Sequence, residues 1–223
     1  MLKEIDIVAK RLAELIYPPQ CLFCDDIVPY GGECGCCREV VEKLKLCGDD
    51  RIQNTDRDVG NLDGVISSFV YADEVAEAVA RYKFHGKFDL YRPISQFMAN
   101  DFIDITKSIN IRIDYVSEVP SYRNKSGHSR LLAKGTAKRI GAPHNDVLIK
   151  IRGTLKQHDI GLAERSVNVK GAFAVKDGKD VRGRTVLICD DVVTSGNTLK
   201  ECAGTLKRAG AKAVFAVTFC ATK

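Results

Sequence analysis

The sequence predicts an α/β protein: a mostly parallel sheet flanked by helices, preceded by a small four-cysteine ribbon. Three observations carry that expectation. From about residue 63 onward, short apolar runs alternate with segments of helical period. One of these runs, Val186-Leu187-Ile188-Cys189, leads into two adjacent carboxylates, Asp190 and Asp191, and then a loop of small residues. Cys21, Cys24, Cys34, Cys36, Cys37 and Cys47 crowd into one short stretch.

Taken in order, Ile5, Val8, Leu12, Leu15 and Ile16 fall at helical spacing over residues 3–16. This amphipathic helix ends ahead of Pro18-Pro19, and its apolar face is expected to pack on its own protein. Val65, Ile66, Phe69 and Val70 make residues 63–71 a strand, and Glu74 to Tyr82 follow as a helix. The turn Tyr82-Lys83-Phe84-His85-Gly86-Lys87 closes that helix, with Lys83 and Lys87 read first as solvated charges and second as cations for an anionic ligand. Leu90, Ile94, Phe97, Met98 and Phe102 mark a helix over 89–106. Asp114–Val119 reads as a strand stopped by Pro120, and a basic loop with Arg123, Lys125, His128 and Arg130 precedes a helix over 130–141. Strands near 146–151, 172–175, 185–189 and 213–219 complete the alternation, with a helix from Asn197 to Arg208 ending before Gly210. The expected divisions are a helix over 1–17, a zinc-ribbon module over 18–50 and the α/β domain over 60–223.

Composition agrees with this plan. A chain of 223 residues, 45% hydrophobic and 28% charged, suffices for one α/β domain with a core and a small accessory module. No apolar run approaches the ~20 residues of a membrane span. The opening Met1-Leu-Lys-Glu-Ile-Asp carries acids and lacks the apolar segment of a signal peptide, so cytoplasmic residence is expected. The net charge of +5 permits contact with nucleic acid or phosphorylated ligands without demanding it.

In a reducing compartment a local cysteine cluster points to metal rather than to disulfides. Cys21-Leu-Phe-Cys24 and Cys34-Gly-Cys36-Cys37 are two knuckles, each able to present a pair of thiolates on one turn. Together Cys21, Cys24, Cys34 and Cys37 would complete a tetrahedral Zn²⁺ site with Zn–S near ~2.3 Å. The bland alternative is a set of unmetallated thiols. Cys36 competes with Cys37 for the second knuckle, and Cys47 is either the remnant of a further ribbon or a free thiol. Cys189, Cys202 and Cys220 sit at apolar positions and read as small core residues. His85, His128, His144 and His158 lack partners at ligand spacing and read as surface or loop residues.

The segment 186–198 carries the chemistry. Two carboxylates at a strand end can hold sugar hydroxyls or a divalent cation. The loop Thr194-Ser195-Gly196-Asn197-Thr198 opens a helix, whose first amides and dipole attract phosphate. The pair suits a ligand with a phosphate at one end and a polyol beside it. No Gly-Lys-Ser/Thr is present, which excludes a Walker A loop. An ordinary buried strand followed by a capped helix is the competing reading.

Residues 186–198 resemble the phosphoribosyl pyrophosphate (PRPP) signature of type I phosphoribosyltransferases. The resemblance widens through Pro18-Pro19-Gln20-Cys21-Leu-Phe-Cys24, Tyr82-Lys83-Phe84-His85-Gly86, Val119-Pro120, Gly161-Leu162 with Arg165, and Asn168-Val169-Lys170-Gly171-Ala172-Phe173. In that order these elements are similar to the ComF family, whose members are linked to natural transformation. The resemblance implies a type I phosphoribosyltransferase fold behind a structural zinc ribbon, and a role in DNA uptake. It implies that Asp190 and Asp191 hold the ribose hydroxyls as the catalytic acids. Val193, Thr194, Ser195, Gly196, Asn197 and Thr198 would cradle the 5′-phosphate, with Mg²⁺ bridging the pyrophosphate and the ribose hydroxyls.

Arg123 and Lys125 would serve the pyrophosphate end. Gln157, Arg165 and Asn168 would belong to a hood over residues 152–171, which could equally be a surface loop. The family's Arg-Gly-Phe-Asn-Gln element after Val-Pro is represented only by Ser126-Gly127-His128-Ser129-Arg130 in a shorter loop. Two functions stand side by side: a phosphoribosyltransferase of unnamed acceptor, or a non-catalytic DNA- or nucleotide-binding accessory protein. Single-stranded DNA and DNA-uptake proteins are the partners implied.

Overall fold

The computed structural model of the chain describes residues 18–28, 34–51, 61–107, 109, 111–121, 127–153 and 169–222. The expected helix over 3–16 and most of the hood lie outside the described residues. The cysteine-rich segment folds into short turns and a seven-residue helix α1, Arg38–Leu44. The strands that follow are β1 (Gly64–Val70), β2 (Tyr115–Glu118), β3 (Leu148–Lys150), β4 (Phe173–Val175), β5 (Thr185–Val193) and β6 (Ala213–Ala221). The helices are α2 (Asp73–Phe84), α3 (Tyr91–Thr106), α4 (His128–Ile140) and α5 (Asn197–Arg208).

The main sheet has the order β1-β6-β5-β2, with every pairing parallel. The mostly parallel α/β fold read from the sequence is therefore present. One detail differs: β3 and β4 do not join that sheet but pair with each other as an antiparallel ribbon. Leu148 is buried while Ile149 and Ile151 are exposed, so this apolar run has one inward face instead of two.

The alternation of side chains along each strand divides the core in two. Leu187, Cys189, Val217 and Phe219 face a cluster built with Val75, Val79 and Tyr82 of α2, Ile94, Met98 and Phe102 of α3, and Leu132 and Ala133 of α4. Val186, Ile188, Val214 and Ala216 face Leu199, Cys202 and Leu206 of α5 together with Leu148 and Phe173 of the ribbon. The three core cysteines 189, 202 and 220 are buried, as their apolar settings suggested.

Both edges of the sheet are covered. Lys45 bridges Phe69 of β1 in antiparallel fashion, and Leu46 N–H donates to the Ser68 carbonyl at 2.9 Å. On the other side, Val116 N–H donates to the Pro143 carbonyl and Asn145 N–H to that of Val116, each at 2.9 Å. These contacts satisfy backbone groups that an open edge would present. The cysteine segment is thus part of the core: Cys21, Leu22 and Phe23 are buried in the first cluster, and the Phe23 ring meets Phe69 edge-on at 5.9 Å.

α3 and α4 touch where Gly135 faces Ser95 and Tyr91; a Cβ at position 135 would collide with the Ser95 side chain. The end of β2 is tied by ionic contacts. Glu118 accepts from His144 Nε2 at 2.8 Å and Arg130 Nε at 3.2 Å, and Arg130 also reaches Asp146. Burial would raise the Glu118 carboxyl, but the His144 hydrogen bond and the Arg130 charge outweigh it and hold it below its ordinary range. His144 is on a loop as expected, between α4 and β3, but half-buried and partnered.

Candidate functional site

β5 runs four residues past its expected end, through the acid pair to Val193. β2 stops sooner: its last residue, Glu118, lies opposite Cys189, and Pro120 follows. Asp190 to Val193 therefore have β6 on one side, through pairs such as Asp190↔Thr218 and Val193↔Ala221, and a cleft on the other. That cleft, about 300 Å³, is lined by Lys83, Pro120, Ser129, Lys150, both acids and the 193–199 turn.

Because neighbours on a strand point to opposite faces, the two acids meet different surroundings. Asp191 is buried, and its carboxylate receives the Lys83 ammonium at 2.8 Å. Asp190 is half-buried; Ser129 Oγ, in the first turn of α4, donates to its Oδ1 at 3.5 Å, and the Asp191 N–H does so at 3.0 Å. Burial and the adjacent Asp191 charge push the Asp190 carboxyl up to about 7. Burial presses the Lys83 ammonium down, but the Asp191 charge and hydrogen bond prevail and raise it above its ordinary value.

The phosphate-attracting half is built by the turn after β5. Gly196 caps α5 with φ of 71°. That left-handed conformation suits glycine and lets the chain reverse from strand to helix in a few residues. Lys200 N–H donates back to the Gly196 carbonyl, and Ser195 Oγ is buried without a hydrogen-bond partner among the described residues. Val193, Thr194, Ser195, Gly196, Asn197 and Thr198 form one continuous turn beside the acid pair. The structure brings the expected acids and this turn together. Arg123, Lys125, Gln157, Arg165 and Asn168 lie outside the described residues.

Three residues at or beside the cleft stand differently from their first reading. Lys83, read first as a solvated charge and only second as a cation for the ligand, lines the cleft. The signal was available, since Val75, Val79 and Lys83 form an i, i+4 row whose first two members are buried. Lys87, by contrast, points away and donates to Gln20 at 2.6 Å. Lys150 enters from β3, its ammonium 5.5 Å from the Phe173 ring centre and lowered by burial. His128, expected on a loop, opens α4 stacked on Phe88 (5.0 Å, 15°) and edge-on to Tyr82. Tyr82 Oη donates to the His128 carbonyl at 2.6 Å. Burial, with the Lys83 charge, lowers the imidazole against the opposing pull of Asp191.

A second chemical centre lies in the cysteine segment. The sulfurs of Cys21, Cys24, Cys34 and Cys37 all fall within 4.8 Å of one another. Cys21 Sγ accepts the amides of Phe23 and Cys34 at 3.4 and 3.3 Å, an arrangement that suits a thiolate. The four could hold a zinc ion: the donor set is soft, complete and compact. Cys36 groups only with Asp26 and Cys34, and Cys47 is exposed and joins neither group. At the acid pair the fit to a free divalent ion is poorer, because Asp191 is already engaged by an ammonium.

Comparison with known proteins adds the following. Residues 127–223 match the family described as phosphoribosyl transferase domain. Competence protein F of Haemophilus influenzae is 22% identical over 200 residues, covering 82% of this chain and 87% of that protein. DNA utilization protein YhgH of Escherichia coli is 26% identical over 159 residues, 68% of this chain and 69% of its own. The solved glutamine PRPP amidotransferase of B. subtilis, complexed with ADP and GMP, aligns with a TM-score of 0.41 at 23% identity over 61% of this chain and 30% of that one. Among the described residues no helix is long and apolar enough to cross a membrane.

Proposed function

We propose that the cleft beside β5 binds PRPP and passes its phosphoribosyl group to an acceptor in the handling of imported DNA, a reading supported by the phosphoribosyl transferase domain match over residues 127–223 and by the likeness to competence protein F. The observation that carries this reading is the shared cleft: an acid pair past the end of β2, continuous with a left-handed glycine turn at a helix start. The turn 193–198 and the first amides of α5 would take the 5′-phosphate. Asp190 and Asp191 would accept from the ribose hydroxyls, and Lys150 would serve the pyrophosphate end, the role also proposed for Arg123 and Lys125. In transfer, the bond from C1 to the pyrophosphate oxygen breaks, pyrophosphate leaves with the electron pair, and the acceptor nucleophile bonds to C1. The protein's part is to hold the reactants in line and to neutralise the charge that develops. Mg²⁺ carried in with PRPP would shield its pyrophosphate. Zn²⁺ on Cys21, Cys24, Cys34 and Cys37 would be structural.

Calorimetric titration of the zinc-loaded protein with PRPP and Mg²⁺ tests the site. The Asp190→Asn/Asp191→Asn variant is expected to bind at least about tenfold more weakly, since it loses two charge-assisted hydrogen bonds. Equal affinity in the two proteins overturns the reading.

One observation favours the second reading, a nucleic-acid-binding accessory without turnover. At the end of α2 and in the turn that follows, Phe84 and Phe88 are 77% and 49% exposed and flank His85 and Lys87. Exposed rings beside a lysine are a stacking platform for single-stranded bases. Phe84→Ala/Phe88→Ala would then weaken binding of a short single-stranded oligonucleotide while leaving PRPP affinity alone. Indifference of oligonucleotide binding to both rings removes this reading.

A further inference from the structure

We propose that the Lys83 ammonium is the resident cation of the acid pair, so that the ligand-free site excludes divalent metal and admits it only together with a pyrophosphate-bearing ligand. The proposal rests on the reading of the cleft as a PRPP site, but its central claim concerns the protein alone.

Lys83 is held where it is by the residues before it. Arg81 donates to the Leu22 carbonyl at 2.6 Å and pairs with Asp25, which fixes the last turn of α2 to the cysteine segment. Tyr82 is fully buried and its hydroxyl binds the start of α4. The next side chain along the helix is Lys83, 30% exposed, with its ammonium 2.8 Å from an Asp191 carboxylate that is only 9% exposed. Three consecutive residues thus clamp one helical turn to three neighbours. A lysine so placed is not a mobile surface charge, and it loses little freedom in keeping its partner.

The consequence for metal follows from coordination chemistry. Mg²⁺ and Mn²⁺ need about six oxygen donors and are usually held by one or two carboxylates supplemented by substrate phosphates. With Asp191 occupied by an ammonium, only Asp190 remains from the pair, and a second cation, Lys150, lines the same cleft. A divalent ion approaching without phosphate would meet two ammonium groups and one carboxylate. Arriving on a pyrophosphate, it brings its own oxygen donors and an excess of negative charge that Lys83 and Lys150 attract.

The test is Mn²⁺ titration of the zinc-loaded, ligand-free protein, followed by electron paramagnetic resonance of the unbound ion. Native protein and Lys83→Arg are expected to show no Mn²⁺ site at the acid pair. Lys83→Met is expected to gain one, roughly tenfold or more tighter than any in the native protein, and to lose it again when combined with Asp190→Asn/Asp191→Asn. Equal Mn²⁺ binding by native protein and Lys83→Met, whether both bind or neither does, overturns the proposal. Far-ultraviolet circular dichroism of each variant confirms that it is folded. Failure of native protein to bind PRPP would remove the functional reading, while the Mn²⁺ comparison would still decide the role of Lys83.

Discussion

At the scale of the residue, the acid pair shows how much one-position alternation does. Asp190 and Asp191 are adjacent in sequence yet face different sides of β5, so one meets Lys83 and the other the first turn of α4. Asp190 is the costly member. Its carboxyl, pushed up to about 7 by burial and by Asp191, binds its proton more tightly in the folded chain than in the unfolded one. Ionising it therefore costs stability; the cost grows from about pH 4 to about pH 7 and is complete above that. Asp190→Asn should leave stability unchanged near pH 4 and raise it by roughly 2 kcal/mol at pH 8, where the native protein carries the charge. Urea unfolding at the two pH values measures this, and equal stability at both would mean that the acid ionises without penalty. That the pair and the small-residue turn would stand side by side was legible, because they follow each other directly at a strand end. Lys150 was not, and Lys83 only through the face it shares with Val75 and Val79, since whether a lysine meets a carboxylate from another element depends on how helix and ribbon pack.

Elements were read well where their ends carry punctuation. α5 spans Asn197–Arg208 as expected because Gly196 and Gly210, both with positive φ, bracket it. β5 was read short: its extension rests on pairing with β6 through Val193, which local composition does not encode. The ribbon β3–β4 was misplaced for a related reason, as a short, mostly apolar run gives no sign of how many faces will be covered. Gly135 is another tertiary choice. It lets α3 and α4 approach closely at Ser95, and Gly135→Ala should cost about 1–3 kcal/mol by overpacking that crossing. Adding Ser95→Gly should recover more than the sum of the single changes allows, as a double-mutant cycle of thermal unfolding would report. Strict additivity would place the strain elsewhere.

For the molecule as a whole, the cysteine segment and the α/β domain share a core. Cys21, Leu22 and Phe23 pack with Phe69, and Lys45–Leu46 seals the edge of β1. The two parts were legible in the sequence as separate compositions, but their union was not, because nothing local shows that Phe23 reaches Phe69. Chelating the zinc that Cys21, Cys24, Cys34 and Cys37 would hold should therefore lower the melting midpoint of the entire domain by about 5 °C or more in one transition. Two transitions, or an unmoved midpoint, would show the segment to be energetically separate. The order β1-β6-β5-β2 has a further consequence, for biosynthesis. The last strand of the sheet to be made, Ala213–Ala221, is inserted between β1 and β5. While a ribosome is still translating, those two strands have no common neighbour, and the acid pair on β5 lacks the backbone beside which it stands. Folding of this cleft is thus deferred until translation has passed residue 221, and a break in the chain near residue 212 before folding would undo the cleft without altering a single residue that lines it.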